Sequence, residues 1–387
     1  MPPHPPDPPA RAAALGAEIA AAAAAIERDQ AIPEPLLSQL HAAGLPRLLL
    51  PRALGGEETP PWVYAAAIAA ASRHDASVGW NLFVANSSAL IAPFLPESSA
   101  REIFASPRAW VAWGPPDGTE AAAVPGGYRV SGTWHFASGS RQASWMGAHC
   151  PVREADGSLR RLPDGRVAIR TLLFPAAAAE RIADWQVSGL RGTASEGYRV
   201  RDLFVPEAFS ATRELPETRG VPGKLFAFTM QGLYAVGVAG VACGIARGML
   251  AEFAALAAEK APRGQVRLAE NALTRAGFAR AEAGLGAAEA YLEAVLRAVW
   301  ETAPDWGAIG LEARARVRLA CSHAIAAAVA AGDWAHHAAG VDAIFTGNPL
   351  ERRFRDLHTL SQQIQARESH FEAVGAVLLG AVPAVFY

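Results

Sequence analysis

Three runs hold the residues best suited to chemistry. Trp134-His-Phe-Ala-Ser-Gly-Ser-Arg-Gln-Ala-Ser-Trp145 mixes β-formers, aromatics and a Ser-Gly turn, in a chain otherwise rich in helical alanine. Trp185-Gln-Val-Ser-Gly-Leu-Arg-Gly-Thr-Ala-Ser195 has the same character. The third run, Arg355-Asp-Leu-His-Thr-Leu-Ser-Gln-Gln-Ile-Gln365, lies near the C-terminus and has no carboxylate between Asp356 and Glu368. Removing a proton from a substrate needs a base in reach, so this gap matters. His358 and His370 can exchange protons near neutral pH. Gln363 can hold a group by hydrogen bonds but cannot exchange protons. A continuous helix over 355–371 would gather Asp356, Gln363, Arg367 and His370 on one face at about 100° per residue. His370 would then lie roughly 10 Å from Gln363, with His358 pointing elsewhere.

The elements that must position these runs are legible in the texture of the chain. Residues 10 to 107 read as helices parted by turns: Ala10 to Arg28, Pro33 to Ala43, Pro60 to Arg73, Asp75 to Pro93 and Pro96 to Ile103. From Arg108 to about Pro206 the runs become short, β-branched or aromatic, and are broken by Gly, Pro and Asp. That texture predicts an antiparallel sheet or barrel. From Lys224 onward long Ala/Leu-rich patterns return over 224–260, 266–302, 306–338 and 348–380, which predicts an antiparallel four-helix bundle.

Composition narrows the class. A chain of 387 residues exceeds the usual single core, and 51% hydrophobic with 19% charged residues suits a globular protein. A formal net charge of -2 without a basic run argues against nucleic acid or anionic membrane as partner. Cys150, Cys243 and Cys321 are odd in number and far apart, which fits a reducing compartment rather than disulfides or a zinc site. No metal is expected, since adjacent His336 and His337 do not face one another on a helix. The Pro-rich residues 1–9 read as a disordered tail without the order of a secretory signal. Phe226 to Ala246 carries no charge and is long enough to span a bilayer, but its Thr229, Gln231 and glycines favour a helix buried in a bundle or a subunit interface. A cytoplasmic protein is expected. Gly240 and Gly244, spaced by four, predict close helix packing. Gly284-Leu-Gly286 follows no strand and is no dinucleotide fingerprint.

Several segments, taken in order, match one family pattern. They are Asp75-Ala-Ser-Val-Gly-Trp80, Gly126-Gly-Tyr-Arg-Val-Ser-Gly-Thr-Trp134 with Phe136-Ala-Ser-Gly139, Gly189-Leu-Arg-Gly-Thr193, Val200-Arg-Asp-Leu-Phe-Val-Pro206, Arg355-Asp356, and Gly375 to Gly380. Over nearly its whole length the chain resembles the acyl-CoA dehydrogenase superfamily. The tryptophans around Phe-Ala-Ser-Gly resemble its two-component flavin-dependent monooxygenases. The fold implied is mainly α with a central β-domain: an N-terminal helical domain over 10–107, a middle β-barrel over 108–212 and a C-terminal four-helix bundle over 213–387. The chemistry implied is oxygenation of an aromatic, sulfur or nitrogen centre with O2 and reduced FAD or FMN from a separate flavin reductase. A homotetramer joined through the bundle is implied as well.

The resemblance also assigns residues. A flavin needs backbone donors at its polar edge and apolar groups on its faces. Trp134, Phe136, Ala137, Ser138, Trp185, Arg191 and Thr193 are the expected flavin contacts, with Arg263 or Arg267 for its phosphates. The dehydrogenases' Arg-x-x-Phe-Gly motif is not met at Pro262-Arg-Gly-Gln-Val-Arg267, so FAD and FMN both stay open. Oxygen chemistry must be kept from water, and Trp80, Phe83, Trp113 and Trp145 are the expected pocket lining. Gln363, His370, His358 and Ser138 are the catalytic candidates. Dehydrogenases carry a glutamate soon after the Arg-Asp pair, and phenol-hydroxylating relatives carry a histidine where this chain has Gln363. Both departures point to a small, apolar or aromatic substrate with its own nucleophilic nitrogen, sulfur or carbon. An acyl-thioester dehydrogenase and a non-catalytic scaffold of the same fold are the alternatives.

Overall fold

The computed structural model describes residues 6–115, 117–213 and 215–381. Six helices come first: α1 (Pro8–Ala14), α2 (Gly16–Asp29), α3 (Glu34–Ala42), α4 (Pro61–Ser72), α5 (Ala76–Ala89) and α6 (Glu97–Phe104). Residues 1–5 of the expected tail lie outside the described residues. The tail also ends early, because Asp7 accepts the Ala10 N–H and starts α1 with Pro8 and Pro9 in its first turn. The single helix expected over 10–28 is two, bent by 61°. Leu15 caps α1, and Gly16 packs against the His74 ring, where a larger residue would clash.

The strands are β1 (Val111–Trp113), β2 (Ala121–Val124), β3 (Gly127–Ala137), β4 (Trp145–Arg153), β5 (Ile169–Pro175), β6 (Glu180–Ile182), β7 (Glu196–Pro206) and β8 (Ser210–Ala211). They pair in the order β6-β7-β3-β2-β4-β5-β8, with β1 beside β4. The sheet therefore wraps one core, with β6 and β8 at the two ends of its strand order. It is also mixed: β1 and β2 both run parallel to β4. Inward residues from β2, β3, β4, β5 and β7 fill the core, among them Tyr128, Trp134, Met146, Leu172 and Tyr198.

The C-terminal helices are α7 (Met230–Glu259), α8 (Ala272–Thr302), α9 (Leu311–Ala339), α10 (Pro349–Ser361) and α11 (Ser369–Leu378). Helix α7 begins at Thr229, whose hydroxyl accepts the Gly232 N–H at 2.9 Å. By length and composition α7 could cross a membrane, but 89% of its most apolar window is buried inside the fold. Its Gly240 and Gly244 let it cross α4 closely. A Cβ at Gly240 would meet the Ala65 carbonyl at 2.8 Å, and one at Gly244 would run into that of Ala69. The last helix expected, over 348–380, breaks between Ser361 and Ser369. The Gln363 side chain accepts the Gln365 N–H at 2.6 Å and starts a 3-10 turn, so it competes with the helical ladder.

Candidate functional site

One aromatic leaves the sheet's alternation. On β3, Trp134 pairs with Tyr198 of β7 and Ala137 with Glu196, and the register shifts between them. Phe136 sits in this bulge at φ 62° and is 65% exposed. A bulky residue at positive φ stores strain that the neighbouring structure must hold. Edge-to-face contact with Trp185 at 6.2 Å supplies part of that support.

Phe136 and Trp185 line a cleft of about 380 Å³ together with Pro115, Asp117, His135, Asp184, Val187 and Ser195. His135 Nδ1 lies 3.0 Å from Asp184 Oδ2, and the Gly197 N–H donates to Asp184 Oδ1 at 2.7 Å. Partial burial works against the Asp184 charge, but these two bonds outweigh it and hold the carboxyl below its usual range. Behind the cleft runs a chain of hydroxyls. Thr193 Oγ1 and Ser195 Oγ are 2.8 Å apart, Ser195 Oγ and Ser138 Oγ 2.5 Å, and the Trp80 Nε1–H donates to Ser138 Oγ at 3.0 Å. The turn of Arg191–Thr193 carries the chain, with the Thr193 carbonyl accepting the Gly139 N–H at 2.9 Å.

The loop that bears this turn is fastened to α10. Asp356 Oδ1 accepts the Leu190 N–H at 2.6 Å, and Arg355 Nη1 donates to the Ser188 carbonyl. Gly189 lies so close to the backbone of Arg355 and Asp356 that a Cβ there would have no room. Asp75 caps α5 by accepting the Val78 N–H at 3.0 Å and lies near Asp356. Burial, then the Asp75 charge, pushes the Asp356 carboxyl up to about 7. A second cleft, lined by Val187, Ser188, Phe354, Arg355, His358, Thr359 and Gln362, adjoins the first through Val187.

The expected site residues divide. Phe136 and Trp185 line the first cleft, and Ser138, Thr193 and Trp80 form its backing. Trp134 and Ala137, expected at the flavin, are fully buried inside the sheet instead, because the bulge turns Phe136 outward without them. Trp134 stacks on Tyr198 at 5.5 Å and donates to the His149 carbonyl. Trp113 meets His149, and Trp145 stacks on Phe209; both pack at the sheet's rim, not in the cleft. Arg191 faces Glu27 of α2 at 3.8 Å, and Arg263 is exposed in the α7–α8 connection.

The catalytic candidates are scattered because the 355–371 helix is broken. His358 Nε2 lies 2.7 Å from Asp333 Oδ1 at the second cleft. His370 lies on α11 with its Nε2–H on the Ile364 carbonyl at 2.7 Å, and burial lowers its pKa, aided by Arg318. Gln363 stands instead beside Tyr234 of α7. Phe83 makes edge contacts with Trp80 at 4.8 Å and with Tyr234 at 4.7 Å. Sequence reasoning missed His135, Asp184, Ser195 and Tyr234. His135 lay inside a motif already singled out, whereas Tyr234 is hidden in an apolar helix.

Comparison with known proteins identifies the family. The acyl-CoA dehydrogenase N-terminal domain matches residues 11–99, and the acyl-CoA dehydrogenase C-terminal domain matches 236–368. The chain is 29% identical over 381 residues to an indole-3-acetate monooxygenase of Acinetobacter baumannii, covering 97% of this chain and 95% of that one. It is 26% identical over 374 residues to the oxygenase component of an FADH2-dependent resorcinol hydroxylase of Rhizobium sp., covering 91% and 88%. XiaF from Streptomyces sp., solved with FADH2 and glycerol, superposes with a TM-score of 0.89 at 25% identity, over 98% of this chain and 96% of that one. Helical flanks, the central sheet and these matches together place the chain in the acyl-CoA dehydrogenase superfamily, on its flavin-dependent monooxygenase branch.

Proposed function

We propose that this chain is the oxygenase of a two-component system, taking reduced FAD or FMN from a separate flavin reductase and O2 from solution. Its substrate is a small apolar or aromatic molecule oxidised at a nitrogen, sulfur or carbon centre. The observation that carries the reading is Phe136, held exposed at positive φ beside Trp185 over a cleft backed by hydroxyls. When bound, reduced flavin supplies two electrons to O2, so that one oxygen atom enters the substrate and the other leaves as water.

The residues fit such a ring. Phe136 and Trp185 offer apolar surface to its face, while Ser195 and the hydroxyls behind it offer donors to a polar edge. Trp80 and Phe83 close the space behind Ser138 with buried aromatic surface and exclude water. Gln363 and Tyr234 hold substrate by hydrogen bonds without taking its proton. Arg263 serves the flavin phosphates of a neighbouring copy in a homotetramer joined through the 213–387 bundle. Exposed Leu273, Val341, Ile344 and Phe345 on that region support such assembly. The 10–107 and 108–212 regions form the other two domains, and the protein works in the cytoplasm.

Anaerobic titration with reduced FAD and reduced FMN, followed by rapid mixing with O2, tests the reading. Tight binding of one flavin and reoxidation slower than that of the free flavin are expected. Absence of binding to either would overturn it.

A further inference from the structure

The aromatic wall behind the cleft ends at a pair of neutral polar groups. Trp80, Phe83 and Tyr234 meet edge to face in succession, and Trp80 is tied to Ser138. Beyond them lies the 3-10 turn of Ile364–Ala366. Gln365 Nε2 donates to Gln231 Oε1 at 3.1 Å, one helical turn before Tyr234, which seats this turn on the start of α7. Gln363 thereby stands beside the Tyr234 hydroxyl. Its Oε1 accepts the Gln365 N–H, and its amide nitrogen is the donor it offers the phenol oxygen. Burial raises the Tyr234 pKa, which keeps the phenol protonated. The imidazole on the adjoining helix, His370, has its Nε2–H on the Ile364 carbonyl.

Such a corner binds a particular kind of molecule. Edges of three aromatic rings favour a flat apolar ring. A tyrosine whose oxygen accepts from an amide still has its O–H proton and one lone pair for the ring's polar atom. Neither the Gln363 amide nor the protonated Tyr234 phenol can take a proton, so a substrate that must be ionised first gains nothing from this pair.

We propose that Tyr234, oriented by Gln363, is the specificity-determining hydrogen-bonding residue of the substrate site, and that it selects neutral heteroaromatic rings over phenols. This rests on the oxygenase reading above. The ring is oxidised by O2 with two electrons from reduced flavin, and it keeps its proton until the new C–O bond has formed.

The test uses the full chain with chemically reduced FAD, indole and phenol as probes, and the variants Tyr234→Phe and Gln363→His. The wild type is expected to hydroxylate indole at least about tenfold more efficiently than phenol. Tyr234→Phe should raise KM for indole by about tenfold, the worth of one good hydrogen bond, and lower product formed per O2 consumed. Its affinity for reduced FAD should be unchanged. Gln363→His should gain phenol turnover with a rate that rises through the ordinary imidazole pKa of about 6.5. Unchanged KM and coupling in Tyr234→Phe would overturn the assignment. So would wild-type turnover of phenol equal to that of indole, or of neither ring, while flavin binding is retained. Loss of flavin binding by the wild type would instead remove the oxygenase reading itself, and this assignment with it.

Discussion

The Leu190 N–H donates to Asp356 Oδ1 at 2.6 Å, joining a loop beside the cleft to a helix of the C-terminal bundle. Asp356 is buried, and Asp75, Glu27, Arg352 and Arg353 act on it from α5, α2 and its own helix. With its carboxyl raised to about 7, the folded state holds a proton that the unfolded chain has already lost. The stability this proton contributes is full at low pH, below the unfolded carboxyl's pKa, and is lost as pH rises through 7. Asp356→Asn keeps an acceptor for Leu190 but carries no charge. It should be more stable than the wild type at pH 8 by about 4 kcal/mol and nearly equal at pH 4. Thermal unfolding across that range checks it; parallel pH profiles for the two proteins would refute it.

Phe136 should show opposing effects on stability and binding. Phe136→Gly relieves a positive φ that costs a bulky residue about 1 kcal/mol, and the exposed ring contributes little to the core. The melting temperature should therefore rise by about 1 °C, which is what 1 kcal/mol gives in a chain of this size. Affinity for reduced flavin should fall by about tenfold as an apolar face is lost. Calorimetry and anaerobic titration of the same variant would reveal both.

Removing single hydroxyls should give a ranked pair. Ser138→Ala leaves the buried Trp80 Nε1–H without its acceptor and should cost about 1–3 kcal/mol. Ser195→Ala leaves Ser138 still bonded to Trp80 and Thr193 still bonded to the Leu190 carbonyl. Its cost should stay below about 1 kcal/mol. Equal losses on urea unfolding would mean that the chain is not organised around Trp80.

Gly189 has no space for a side chain against the backbone of α10. Gly189→Ala should shift the 188–193 loop, destabilise by about 1–3 kcal/mol and weaken flavin binding even though residue 189 does not line the cleft. A variant with wild-type melting and flavin affinity would show that the loop is not anchored there.

The change of texture at Arg108 and again near Lys224 made the order of helices, sheet and helices readable, since alternation and the 3.6-residue period differ plainly. The break after Ser361 was not readable. No Gly or Pro marks it, and it depends on Gln363 capping its own turn. Trp134 and Phe136 lie two apart and should share a face by strand alternation; only the bulge, a property of pairing with β7, separates them. His135 and Asp184 are 49 residues apart, and nothing local in either predicts their contact.

Trp80 and Phe83 carry a double duty, since both belong to the buried core shared by α4, α5 and α7, while Trp80 holds Ser138 behind the cleft and Phe83 packs edge-on against Trp80. A lineage of this protein could not reshape that wall without paying in folding. Tyr234 is only partly buried, and Gln363 sits on an irregular turn, so both can vary more cheaply. Divergence toward new substrates should therefore collect at these two positions, while the aromatic wall stays nearly constant among descendants.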